Sequence, residues 1–536
     1  MAEPPQSVSS RPVSGSGLLR SNLVVAVGTA LSRLTGLLRI AVFVYVIGRT
    51  ALADAYQIAN ETPNIVFDLL LGGLLAATLV PLFTSFLHDG DDEATNVVIT
   101  VAMTLITALT VAAVVAAPLV FGIYTITPSG DVDPETLRRV GTTLTQIFLI
   151  QILFYGLTAV ANALLNARRR FFAAAWSPIL ANLVIIATLL SLPGAGSTEW
   201  ALDDVVDDRR LRLTLGLGAT LGIATMALVL IPAVIRAGVR YRPVWNWRHP
   251  AVAKLLRLSG WTLGFVAANQ IALVVIRNLA EPGSGDAAAY VFAFTFFVLP
   301  HGLLAVSVST TFQPELARAV AADDEASFVH HTALGIRIVA LLTIPAAVLI
   351  LVLRQPIIGA AFQRGAFGAD DALLTAQTLG GFALGLVGFS VYMFTLRGFY
   401  ARQNTRTPFW LNVMKNLINI VLALVLVRSF GVVGLAVALA IAYLVSAIVI
   451  IAALQRRVPT LPVASILRAI AAMAGAGALM GLATWLVSGL FDATTGSGAV
   501  IHIAVASVAG LIVYAASLAA VRSPEVRWVA GRLKVR

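Results

Sequence analysis

The stretch LSRLTGLLRIAVFVYVIGRTALADAYQIANETPNIVFDLLLGGLLAATLVPLF, residues 31–83, holds two long apolar runs joined by a short polar turn. A helix that crosses a bilayer needs about 20 predominantly apolar residues, and each run supplies them. The runs are continuous and do not alternate at period two, which excludes the strands of a membrane barrel. Charge nevertheless sits inside both: Arg33 and Arg39 in the first, Asp54, Glu61 and Asp68 in the second. Hydrocarbon as solvent and embedded charge set the reading of the rest.

Working outward, the same pattern recurs to give fourteen candidate spans between residues 21 and 521, two of them at 55–87 and 252–280. Over all 536 residues, 59% are hydrophobic and 12% charged. Soluble domains carry roughly 25% charged residues. The expected fold class is therefore an all-α integral membrane protein. Cysteine is absent, which removes disulfides and thiolate chemistry. No P-loop, G-x-S-x-G or HExxH motif is present. The chain reads as a transporter rather than an enzyme, with no cofactor and no metal.

The net charge of +11 lies in short clusters between apolar runs, as membrane orientation requires, and does not point to nucleic acid. Arg168–Arg170, Arg236, Arg240, Arg242, Arg402, Arg406, Arg456 and Arg457 fall on one side. The loops SGDVDPE, EPGSGD and FDATTGSG fall on the other. An even span count then puts both termini in the cytoplasm of a bacterial inner membrane. Residues 1–19 read as a disordered tail without a cleavable signal, and 523–536 as a basic tail.

An internal repeat organises the middle. ANALLNARRRFFAAAWSPILANLVII (161–186) matches TLRGFYARQNTRTPFWLNVMKNLINI (395–420) at an offset of 234. Ala55–Tyr56 matches Ala289–Tyr290 at the same offset, and the DDEA loops at 91 and 323 nearly so. Six helices per repeat predict two parallel lobes about a pseudo-two-fold axis along the membrane normal, with a cavity between them. The lobes are 20–237 and 238–454, followed by helices 13 and 14 over 455–522. A cavity inside one chain needs no second copy, so a monomer is expected.

Intramembrane charge is costly and normally faces a cavity or a partner. Arg33 and Arg39 share one arc of helix 1, suiting either a phosphate or ion pairing with helix 2. Asp54, Gln57, Glu61, Asn64 and Asp68 recur at i, i+3, i+7, i+10 and i+14, a polar stripe on helix 2 that either neutralises those arginines or takes a coupling cation. Asn412, Lys415, Asn416 and Asn419 share a face of helix 11, as Gln270 and Arg277 do in helix 7. Arg277, near the end of its helix, is read as lining a cavity or snorkelling. Pro63 and the Pro300–Gly302 break are expected hinges at corresponding places in the two repeats.

LSRLTGLLR, DAYQIANETPN and GGLLAATLVPLF resemble the opening of the MurJ/MviN family of lipid II flippases, part of the multidrug/oligosaccharidyl-lipid/polysaccharide exporter superfamily. LPHGLLAVSVSTTFQPELA and FYARQNTRTP are similar to later family motifs, and the likeness runs from about residue 21 to 522. It implies a flippase that carries lipid II between leaflets by alternating access, driven by Na⁺, H⁺ or membrane potential. Lipid II and membrane lipids are then the partners, with helices 13 and 14 as a groove for the lipid tail. Family arginines fall on Arg33 and Arg39, and the family aspartate on Asp54. The chain departs at Ile40, Glu61, Phe67, Asp68 and Thr295, which makes its cavity less cationic and leaves Lys415, Arg277 and Asn416 as candidate substrate contacts. The alternatives are a cation-coupled exporter of another amphipathic cargo and a non-transporting cell-wall scaffold.

Overall fold

The structure is a computed structural model that describes residues 15–67, 73–248 and 260–521. Among these residues there are helices and loops and no strand. The first half runs α1 (Gly15–Ile47), α2 (Ala51–Phe67), α3 (Gly73–Asp89), α4 (Asp92–Val115), α5 (Ala117–Tyr124), α6 (Pro134–Leu149), α7 (Gln151–Ala167), α8 (Phe172–Leu190), α9 (Leu202–Asp207), α10 (Arg209–Leu228) and α11 (Leu230–Arg236). The second runs α12 (Gly260–Leu279), α13 (Asp286–Pro300), α14 (Val306–Ala321), α15 (Glu325–Phe362), α16 (Ala369–Ala383), α17 (Leu386–Ala401) and α18 (Arg406–Gln455). α19 (Val463–Ser488) and α20 (Gly496–Ala520) follow.

Among the described residues, ten helical runs are long and apolar enough to cross a membrane, or eleven when α16 and α17, bent by 47°, count as one. Fourteen were expected, and three places account for the difference. α18 counts once, yet its 50 residues span about 75 Å, more than two hydrocarbon thicknesses, and it breaks at Gly431 (φ 53°, ψ −138°). The expected span 55–87 crosses residues 68–72, which lie outside the described residues, as does Asp68. The span at 252–280 begins outside them too. Exposed large apolar side chains are spread along the spanning helices, Val425 at 63%, Leu482 at 54% and Ile512 at 63% among them, an apolar surface that suits a hydrocarbon surround.

Residues 15–19, read as part of a disordered tail, are helical, and residues 1–14 lie outside the described residues. α1 already begins at Gly15, three residues past Pro12, the last proline before the span. The helix-8 break is also different in kind: a π-helical turn at His301–Ala305 joins α13 to α14, so the rod continues through Pro300. α2 likewise runs on through Pro63 to Phe67.

The repeat is visible in the backbone. α7 ends at Arg168 (φ −94°, ψ 9°) followed by Arg169 at φ 55°. α17 ends at Arg402 (φ −85°, ψ 13°) followed by Gln403 at φ 54°, again at offset 234. Gly90 (φ 68°) precedes the Asp91 cap of α4 just as Asp323 (φ 52°) precedes the Asp324 cap of α15. Asp324 accepts from the Ser327 backbone N–H at 2.9 Å, and that hydrogen bonding holds its carboxyl below the usual range. α8 packs on α1 as α18 packs on α12. Asn182 Nδ2 donates to Thr35 Oγ1 at 3.1 Å, and its repeat mate Asn416 donates to Asn269, the mate of Thr35, at 2.9 Å. Where α17 meets α18, a Cβ on Gly388 would lie 2.8 Å from Leu444 Cα, so the backbones touch. α19 and α20 pack on α15, where the Tyr514 hydroxyl donates to the Leu341 carbonyl at 3.1 Å.

Candidate functional site

A cavity of about 590 Å³ lies where the two repeats face each other, walled by α1, α2, α8, α12, α13 and α18. Its charged lining is Arg39, Glu61, Arg277 and Lys415. Polar residues reach it at helical spacing from rods whose other faces are apolar, because a charge turned toward hydrocarbon would cost several kcal/mol. Gln57, Asn64, Gln270, Asn416 and Asn419 line it as well.

Arg277 is buried at 3% exposure and does not snorkel. Its Nη2 pairs with Glu61 across the repeats, Nη1 donates to the Ala287 carbonyl at 3.0 Å, and the guanidinium lies over the Tyr290 ring at 5.9 Å. The Lys415 ammonium donates to Asn269 Oδ1 at 3.3 Å and sits 5.1 Å from the Tyr443 ring centre. Among the described residues neither Arg39 nor Lys415 has a carboxylate in ion-pairing range. The cavity therefore keeps two cations beyond its one internal pair, and two cations free of counter-charge suit an anionic ligand.

Other expected site residues stand apart from the cavity. Asp54 is fully buried. Its carboxylate accepts backbone N–H groups of Gly283 (2.9 Å), Gly285 (2.9 Å) and Ala288 (2.7 Å), capping the start of α13. Those bonds join α2 of one repeat to α13 of the other, and Asp54 lies outside the cavity lining. Beside it Arg49 binds Asp371 at 2.7 Å and Asp286 at 3.1 Å. The Ser129 N–H donates to the Pro282 carbonyl at 3.0 Å and the Ala366 N–H to the Tyr45 carbonyl at 3.0 Å. One end of the cavity is thereby closed. Arg33 is exposed and lies against the π turn, where a Cβ on Gly302 would come within 2.5 Å of its Nη1. Asn412 is buried in α18 outside the cavity lining.

Sequence reading missed Asn60, Asn269, Tyr290 and Tyr443 as lining residues. Two of the four, Asn60 and Tyr290, sit at repeat positions whose mates also line the cavity. At offset 234 the cavity positions pair as Arg39 with Leu273, Phe43 with Arg277, Tyr56 with Tyr290, Asn60 with Phe294 and Glu61 with Thr295. Each lines the cavity together with its mate.

The lipid II flippase MurJ family matches residues 43–506. A probable lipid II flippase MurJ of Haemophilus influenzae is 30% identical over 426 residues, 76% of this chain and 81% of that one. Among solved structures, a lipid II flippase MurJ in an inward closed conformation aligns with TM-score 0.74 and 24% identity, over 92% of this chain and 98% of that chain. A multidrug resistance MATE family transporter of the MOP superfamily, facing inward, aligns with TM-score 0.66 and 14% identity over 81% and 99%. The chain is thus a multi-pass membrane protein of the inner membrane, and it belongs to the lipid II flippase MurJ family.

Proposed function

We propose that this chain moves lipid II, an undecaprenyl pyrophosphate bearing a disaccharide–pentapeptide, from the cytoplasmic to the outer leaflet by alternating access. The observation that carries the reading is a cavity between two repeats that holds two cations, Arg39 and Lys415, with no ion-pair partner among the described residues, and that is bridged at one end by Asp54 and Arg49. The bridged end carries the acidic loops, so it is assigned to the outside and both termini to the cytoplasm. Lobes 20–237 and 238–454 rock about the cavity, Arg39 and Lys415 receive the pyrophosphate, and α19 and α20 guide the lipid tail. One copy of the chain suffices.

A cation-coupled exporter of other cargo needs an available acid. In this state Asp54 is engaged by three amides and Glu61 by Arg277, which favours the flippase reading. The test is complementation of a flippase-depleted bacterium by wild type and by Arg33→Ala/Arg39→Ala. Rescue by wild type with loss in a normally expressed double variant is expected. Equal rescue by both would move anion recognition away from α1, and a wild type that rescues no suitable host would overturn the reading.

A further inference from the structure

Among the described residues, seven carboxamide side chains line the cavity, against four charged ones. Two of the seven carry a buried carbonyl oxygen that meets no hydrogen-bond donor: Gln270 Oε1 on α12 and Asn419 Oδ1 on α18. Asn419 is only 4% exposed. A buried polar atom left without a partner is destabilising, and native structures keep few of them. Both atoms are acceptors, which restricts what can satisfy them. An ionised phosphate oxygen is itself an acceptor and is repelled there. The fitting group is a donor, such as a hydroxyl or an amide N–H.

A metal cation would also satisfy carbonyl oxygens, but the surroundings disfavour one. The Lys415 ammonium lies one helical turn from Asn419, and the Arg277 guanidinium lies two turns from Gln270 on the same helix. The acid of the lining, Glu61, is already paired with Arg277. Aromatic rings flank the site, with Tyr290 and Phe294 stacked at 6.4 Å and an interplanar angle of 5°. Flat apolar faces beside amide hydrogen-bonding groups suit a sugar or peptide better than a bare ion.

We infer that Gln270 and Asn419 read the glycopeptide part of the cargo through its sugar hydroxyl and peptide amide donors, while the pyrophosphate is left to the cations. This rests on the proposed function and deepens it by dividing the site into a donor-seeking subsite and an anion subsite. Specificity for the glycopeptide then resides in Gln270 and Asn419, and charge recognition in Arg39 of α1 and Lys415 of α18.

The test measures binding of two lipids by the reconstituted full-length protein: lipid II, and undecaprenyl pyrophosphate lacking the glycopeptide. Gln270→Met/Asn419→Leu keeps shape and removes the acceptors. The expected result is a loss of roughly 10- to 100-fold in affinity for lipid II, with affinity for the bare pyrophosphate lipid unchanged. Gln270→Met alone, a milder change, should show part of the same selective loss if the double variant folds poorly. Arg39→Gln should weaken both lipids. Equal weakening of both lipids by the double variant, or of neither, overturns the assignment. So does wild-type lipid II binding that depends on Na⁺ over choline and loses that dependence in the variant, because the oxygens would then hold a cation. If wild type bound neither lipid, the proposed function itself would fail, a distinct outcome.

Discussion

Asp54→Asn should open the latched end of the cavity. The carboxylate holds two amides on Oδ2 and one on Oδ1, all at 2.7–2.9 Å and out of water. An asparagine presents one acceptor oxygen and one N–H₂, so at best the Gly283 and Gly285 bonds survive and the Ala288 N–H then faces a donor. A hydrogen bond to a charged group is worth about 1.5–3 kcal/mol, and leaving a buried donor unmade adds to the loss. A shift of about 2–3 kcal/mol against the closed end corresponds to roughly a 30- to 150-fold change in the open-to-closed ratio. The chain has no cysteine, so Thr295→Cys supplies a single thiol on the cavity wall. Labelling by an impermeant maleimide applied to the outer face of sealed vesicles should accelerate by tens of fold in Asp54→Asn. An unchanged rate in a folded variant would refute the latch. Acceleration from the cytoplasmic face instead would reverse the assigned orientation.

Further outcomes follow from the same contacts. Glu61→Gln removes the counter-charge of the buried Arg277 guanidinium while keeping an amide oxygen that can accept from it, and should destabilise by about 1–3 kcal/mol, with Glu61→Gln/Arg277→Met recovering part; strictly additive melting-temperature losses would deny the coupling. Gly388→Val forces a side chain into the Leu444 backbone and should cost about 1–3 kcal/mol, read as a lower unfolding midpoint. The Asp324 carboxyl is held below its ordinary value by Ser327, so its stabilising effect is present above the usual carboxylate range and is lost as pH falls through the lowered value. Amide exchange in the first turn of α15 should accelerate only in that acid window, and at neutral pH only in Asp324→Ala.

How much of this was legible beforehand depended on whether a signal was local. Apolar run length identifies the solvent and most spans, because hydrocarbon thickness fixes it directly. The polar stripe of α2 pointed at the cavity because helical spacing alone puts Gln57, Glu61 and Asn64 on one face. Asp54 belongs to the same stripe by spacing, yet its role is set by amides more than 200 residues away, which no local pattern reveals. Arg277 looked like a snorkelling end residue for the same reason: its partner Glu61 lies in the other repeat. The π turn was read as a break because Pro300 and Gly302 weaken a helix, whereas the wider turn reroutes the hydrogen bonds and keeps the rod intact.

The repeat carries a further consequence for how the cavity works. A duplicated scaffold offers each lining position twice, but the chemistry is not duplicated: Arg39 opposes Leu273, Arg277 opposes Phe43, and Glu61 opposes Thr295. Had both copies of the Arg39 position stayed basic, the cavity would hold two like anion sites at equal depth, and an asymmetric cargo would have two competing orientations. Breaking the duplication leaves one cation on α1 and another on α18, with the donor-seeking oxygens of Gln270 and Asn419 in the second repeat. The positions that keep their symmetry, Tyr56 with Tyr290 and Asn182 with Asn416, are those that pack or bind helix to helix. Symmetry is thus kept where two lobes must move as like bodies and lost where one cargo must be held one way round. Moving the charge to the other repeat, by Leu273→Arg with Arg39→Leu, should preserve folding yet abolish flipping; an active swapped protein would show that charge in the cavity matters by number and not by place.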